Sequence, residues 1–147
     1  MFGFDSVMER SQAKLLNPLL LAFVGDAVYS LYIRERLAFK GEGKLSQLQS
    51  TVSKLVSASG QSVFLNDLLP LFTEEEEEIY RRGRNAKKAT KSKNASAVDY
   101  NRSTGFEAVL GFLYVVGDKR RLDELLNMAD ESLFKIENKP AAFKPIR

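Results

Sequence analysis

Two carboxylates stand where apolar helices should not hold them. Asp26 lies within LLLAFVGDAVYSLYIRER (residues 19–36), and Glu107 within TGFEAVLGFLYVV (104–116). Both are expected to be buried, and a charge in such surroundings is costly without a cation, a metal ion or several hydrogen-bond donors. With neither cysteine nor histidine in 147 residues, thiolate chemistry and the commonest general base are excluded. Chemistry must rest on carboxylates, hydroxyls, lysines or a hard cation. If the two helices face each other, Asp26 and Glu107 can converge on Mg2+ or Mn2+. Mg2+ typically takes one or two carboxylates and keeps waters that a phosphate can displace. The alternative is that each acid pairs with a buried Arg or Lys.

The elements that must position these acids read as helices throughout. Asn17-Pro18 can cap and open a helix over 18–39, after a short turn at 11–17. Residues 40–44 form a loop. Apolar spacing from Ser46 predicts helix to about Leu69, with Gly60 as a break and Pro70 as the end. Thr73 and Glu76 form a capping-box pattern, which assigns the glutamates at 74–78 to a helix start. Residues 83–101 read as a loop, Ser103 or Thr104 opens the next helix, and a last amphipathic helix spans 119–135 after a turn at Gly117-Asp118. No alternating strand pattern is visible, so the fold class is all-α. The size and the 44% hydrophobic content fit one domain, over 1–136, with a flexible tail at 137–147.

Charge is unevenly placed. Arg81, Arg82, Arg84, Lys87, Lys88, Lys91, Lys93 and Arg102 face only Asp99 within 81–102, a local +7 against +3 overall. The remainder is thus net −4. A basic segment on an acidic body suggests contact with a polyanion, alongside the plainer reading of a solvated charge run. The longest apolar run, 19–24, is too short to span a bilayer, and the N-terminus lacks a signal-peptide pattern. A soluble, cytoplasmic protein is expected.

Three blocks, LAFVGDAVYSLYIRERL (21–37), TEEEEEIYRRGRNAK (73–87) and YNRSTGFEAVLGFLY (100–114), together resemble the ribonuclease III domain family in its short bacterial form, Mini-ribonuclease III. The resemblance implies an all-helical homodimer that cuts double-stranded RNA with Mg2+, or Mn2+ as a substitute, leaving 5′-phosphate and 3′-hydroxyl ends. It further implies maturation of the 23S ribosomal RNA precursor, with a ribosomal protein as a conceivable helper. Asp26 and Glu107 match the family's catalytic and metal-binding acids. Leu19, Ala22 and Thr104 stand where larger members carry further carboxylates; Thr104 is expected to be the helix N-cap. The short form is expected to have no double-stranded RNA-binding domain, so the basic loop is the expected RNA contact, through Arg82, Arg84, Lys87, Lys88, Lys91 and Lys93. Arg81 and Arg82 could instead fold back into salt bridges. Leu20, Phe23 and Val24, with Leu21, surround the first long helix more fully than one core requires and suggest a two-fold interface; burial inside a monomer is the alternative. The rival functions are a non-catalytic RNA-binding or ribosome-associated module on the same fold, and a helical protein-interaction dimer.

Overall fold

The computed structural model describes residues 6–41, 43–88 and 96–135, with side chains to residue 129. The expected tail at 137–147, Leu133 and the two lysines at 91 and 93 therefore lie outside the described residues or side chains. Among the described residues all regular structure is helical. The order is α1 (Arg10–Ala13), α2 (Pro18–Lys40), α3 (Leu45–Val56), α4 (Ala58–Leu68), a 3-10 turn (Leu69–Leu71), α5 (Glu74–Asn85), α6 (Ala97–Val115) and α7 (Lys119–Lys135).

Local chemistry sets most of these boundaries. Asn17 accepts the Leu19 amide at 2.9 Å and Pro18 takes the first helical position, so α2 starts where the sequence indicates. Gly41, at φ 65°, closes it in the left-handed conformation. The Thr73–Glu76 capping box forms in both directions, at 3.1 and 3.0 Å. Glu76 does more than cap: it is buried and takes the Arg121 guanidinium through both carboxylate oxygens at 2.8 Å, joining α5 to α7.

Two boundaries differ from expectation. The stretch after Ser46 is two helices, and the break is at Ser57, whose hydroxyl caps α4 by accepting the Gly60 amide at 3.0 Å. Residue 60 lies within α4 and is glycine because a Cβ there would come 2.2 Å from the Lys54 carbonyl oxygen. The helix carrying Glu107 begins at Ala97, capped by Ser96, which accepts the Asp99 amide at 3.1 Å. Thr104 is therefore not the N-cap. It sits within α6, buried, with its hydroxyl donated back to the Tyr100 carbonyl at 2.9 Å.

Helix α6 is the centre of the molecule. Every residue from 103 to 113 except Glu107 is buried, and α2, α4, α5 and α7 all pack on it. A helix apolar on all sides belongs inside. Tyr29 of α2, Phe64 of α4 and Phe106 of α6 meet in a tilted and edge-on aromatic cluster, with ring centroids 5.2 to 6.0 Å apart. Helix α2 is equally apolar at its start but is not enclosed: Leu21 is fully buried, while Leu20 and Phe23 are 50% and 76% exposed.

The crossing of α2 and α6 is closed by glycine. A Cβ at residue 25 would stand 1.7 Å from the Glu107 carbonyl oxygen, and one at residue 111 would stand 1.8 Å from the Leu21 carbonyl oxygen. Residues 25 and 21 thus meet 107 and 111 in antiparallel order. The backbones touch. Gly111→Ala is expected to lower the unfolding free energy by about 3 kcal/mol or more, since both colliding atoms are backbone. A urea titration showing a loss below about 1 kcal/mol would mean that the crossing yields easily.

Candidate active site

The glycine crossing carries both suspect acids, Asp26 beside Gly25 on α2 and Glu107 on α6. The structure corrects one expectation: Asp26 is exposed, and only Glu107 is partly buried. The opening of α2 is apolar because it has an outward apolar face, not because the helix is enclosed. Asp26 sits beside that face and reaches solvent.

The Asp26 carboxyl lies within hydrogen-bonding reach of the Glu107 carboxyl. Desolvation is the largest influence on Glu107, and the hydrogen bond and negative charge of Asp26 add to it, pushing its pKa up to about 9. One side chain opposes this. Gln61 of α4 donates its amide Nε2 to Glu107 Oε2 at 3.2 Å and to the Val56 carbonyl at 3.1 Å. Gln61 is 1% exposed, and its Oε1 has no partner. Five residues on, Asn66 Oδ1 accepts from Arg102 at 2.7 Å, so two polar rungs tie antiparallel α4 and α6 together.

The sequence pattern contained a sign of Gln61 that the motifs around Asp26 and Glu107 did not. Gln61, Phe64, Leu65 and Leu68 are the buried positions of α4, at helical spacing. A glutamine in that register belongs to the core face, where an amide needs partners.

The pair fits a divalent cation. Two carboxylates this close cannot both ionise cheaply without positive charge between them, and Asp26 leaves the site open to solvent. Among the described residues no group of three or more metal-ligating side chains forms, so waters would complete the coordination. Where larger relatives are expected to carry more acids, Ala22 and Thr104 are buried and Leu19 is partly so.

The basic residues divide. Arg82 donates to the carbonyls of Lys14 and Leu16 at 2.8 and 3.2 Å, folded back onto backbone and not onto the carboxylates considered from sequence. Lys88 donates to the carbonyls of Gly83, Arg84 and Ala86 at 3.2, 3.2 and 2.8 Å, closing the C-terminus of α5, and burial lowers its pKa. Both side chains thus carry backbone hydrogen bonds in this structure. Lys87 is exposed. Arg84 is also exposed, stands over the Tyr80 ring at 5.6 Å and bonds Asn85 at 3.2 Å. Arg102, absent from the expected contacts, is partly exposed on the acid-bearing helix.

The model of the Ribonuclease III domain matches residues 19–118, which contain both acids, Gln61 and the whole α2–α6 crossing. The chain belongs to the ribonuclease III domain family. It is 48% identical over 115 residues to Mini-ribonuclease 3 of Streptococcus pneumoniae, covering 77% of this chain and 90% of that protein. It is 42% identical over 132 residues to Mini-ribonuclease 3 of a Thermoanaerobacter species, covering 88% and 93%. A crystal structure of a Fusobacterium nucleatum protein shares the fold, with a TM-score of 0.72 at 24% identity over 84% of this chain and 94% of the other. The all-α ribonuclease III fold and the endoribonuclease class expected from the three sequence blocks both stand.

The raised pKa of Glu107 has a sign that can be measured. The folded state holds its proton up to about 9, whereas the unfolded chain releases it near 4.5. Between these values the folded state binds more protons, so its stability is complete at the acid end and is lost as pH rises. Without divalent metal, Glu107→Gln is expected to melt roughly 3–8 °C above the parent near about pH 8.5, for a gain of about 1–2 kcal/mol, and no higher near about pH 5. A constant difference across that range would remove the pKa shift from Glu107.

Proposed function

We propose that this ribonuclease III domain chain is a Mg2+-dependent endonuclease of double-stranded RNA that acts as a two-fold dimer. The observation that carries this reading is the Asp26–Glu107 carboxyl pair at the helix crossing, exposed on one side and amide-anchored on the other. A bound Mg2+ would activate water and neutralise charge building on the phosphoryl group. The chain's part is to hold two carboxylates for it and to keep them reachable by a phosphate. Mn2+ is the natural substitute, and hydrolysis of this type leaves 5′-phosphate and 3′-hydroxyl ends.

A-form RNA presents phosphates and 2′-hydroxyls to a protein of this kind, and side chains do not read its narrow major groove. Arg82, Arg84, Lys87 and Lys88 are proposed for that contact together with Lys91 and Lys93 of the same segment, and Arg102 on the acid-bearing helix joins them. The 23S ribosomal RNA precursor is the proposed substrate, met in the cytoplasm and with a ribosomal protein as helper. No helix among the described residues is long and apolar enough to cross a membrane. The catalytic domain is proposed to span 1–136.

The dimer reading rests on α2. Leu20, Phe23 and Leu31 are 50%, 76% and 61% exposed, and with partly buried Val24 they fall on one face at helical spacing. An apolar stripe of this kind marks an association surface. Two copies meeting there would offer one acidic pair to each strand of a duplex.

Two experiments test the proposal. End-labelled duplex RNA should be cut by the parent in Mg2+, spared in EDTA, and cut on the order of 10³-fold more slowly by Glu107→Gln, which keeps the fold. A folded parent that binds duplex RNA but cuts neither it nor the ribosomal precursor would favour the binding-module reading. Phe23→Glu should sediment as a monomer with unchanged helix content. Persistence of the dimer would place the interface elsewhere.

A further inference from the structure

We propose that Gln61 is a positioning residue that holds Glu107 for its metal, an assignment that rests on the metal reading above. Its geometry is specific. The Nε2 group is used twice, towards Glu107 Oε2 at 3.2 Å and towards the Val56 carbonyl, the last residue of α3, at 3.1 Å. Turning the amide over would set its oxygen against the Val56 carbonyl oxygen, so that acceptor fixes which end faces Glu107.

The amide therefore pins the acidic helix to the corner between α3 and α4. Only Oε2 of the carboxylate is engaged by this amide. A residue serving packing alone at this site could be apolar, since Phe64, Leu65 and Leu68 fill the rest of the same face. Instead the chain keeps an amide that is 1% exposed and leaves its oxygen without a partner. That arrangement is poor for stability and useful for orientation. Partners of this kind set the direction of a ligand carboxylate, and their loss typically weakens metal binding by about 10–100-fold.

The test is Mn2+ titration of the metal-free protein, followed by electron paramagnetic resonance, for the parent, Gln61→Leu and Asp26→Asn, with thermal melts alongside. Gln61→Leu keeps similar volume and removes the donor. We expect its melting temperature to equal or exceed that of the parent while Mn2+ affinity falls by about 10-fold. The Mg2+ concentration for half-maximal RNA cleavage should rise by the same factor, with the KM for RNA unchanged at saturating metal. A lower melting temperature with unchanged Mn2+ affinity would reduce Gln61 to a packing role and overturn the assignment.

Binding by the parent that matches Asp26→Asn would remove the metal reading itself, and the assignment with it. Clear binding by the parent, lost in Asp26→Asn but intact in Gln61→Leu, would overturn the role of Gln61 alone. If Gln61→Leu does not fold, Gln61→Met, unbranched and close in length, takes its place. Failure of both to fold would assign Gln61 to stability and overturn the proposal.

Discussion

The contact on which the rest of this structure depends is the approach of α2 and α6 at Gly25 and Gly111. A side chain at either position would occupy the space of a carbonyl oxygen on the facing helix, so the two backbones lie as close as peptide groups permit. Such proximity is not demanded by burial alone, because the same helices could pack at the wider spacing that Leu and Phe side chains usually set. Its consequence is local. Asp26 follows Gly25 directly, and the carbonyl that Gly25 touches belongs to Glu107. Side chains of only two and three carbons then bring their carboxyl groups into hydrogen-bonding reach.

That reach works against the stability of the empty fold. Desolvation and the neighbouring Asp26 both favour a protonated Glu107, which cannot serve as an anionic ligand in that state. Gln61 works in the other direction, as a donor to the ionised form, but the net balance still lies with the proton. A bound divalent cation would reverse this balance by supplying the positive charge that two ionised carboxylates need between them. The surrounding core tolerates the cost because it is well made elsewhere: an aromatic cluster sits beside the site, and the ring of helices around α6 leaves Glu107 as its one partly exposed position between 103 and 113. Stability is supplied by the packing, and the site spends part of it.

How much of this was legible in the sequence follows from which interactions are local. The caps at Asn17 and Thr73 involve residues two or three apart, and they read correctly. The pairing of Asp26 with Glu107 was legible because two acids interrupted two apolar runs. Asp26's exposure was not, since an apolar face turned to a partner and one turned to a core have the same composition. Thr104 resembles a cap because the continuous apolar pattern begins there, whereas α6 starts at Ala97, capped by Ser96, through a mixed stretch whose periodicity is weak. Ser57 took the break expected at Gly60 for a related reason: glycine there answers a close approach to Lys54, not a need to end the helix.

The basic segment shows the same limit in charge. Counting charges gave a strong local excess, but a count does not show which cations the fold has already used. Arg82 and Lys88 close carbonyls around α1 and at the end of α5, work that any helix terminus requires. The more exposed cations are distributed differently: Arg81 and Arg84 on α5, Lys87 just past it, and partly exposed Arg102 on the helix that holds Glu107. An acidic pair would repel phosphate until a cation bound, so under the proposed function the cations that attract RNA need to leave the acids unneutralised. Arg102 meets that condition, because its guanidinium is turned to Asn66 on α4 and not to either carboxylate. Helix α4 thus holds a partner for each, Gln61 for Glu107 and Asn66 for Arg102, five residues apart on both helices.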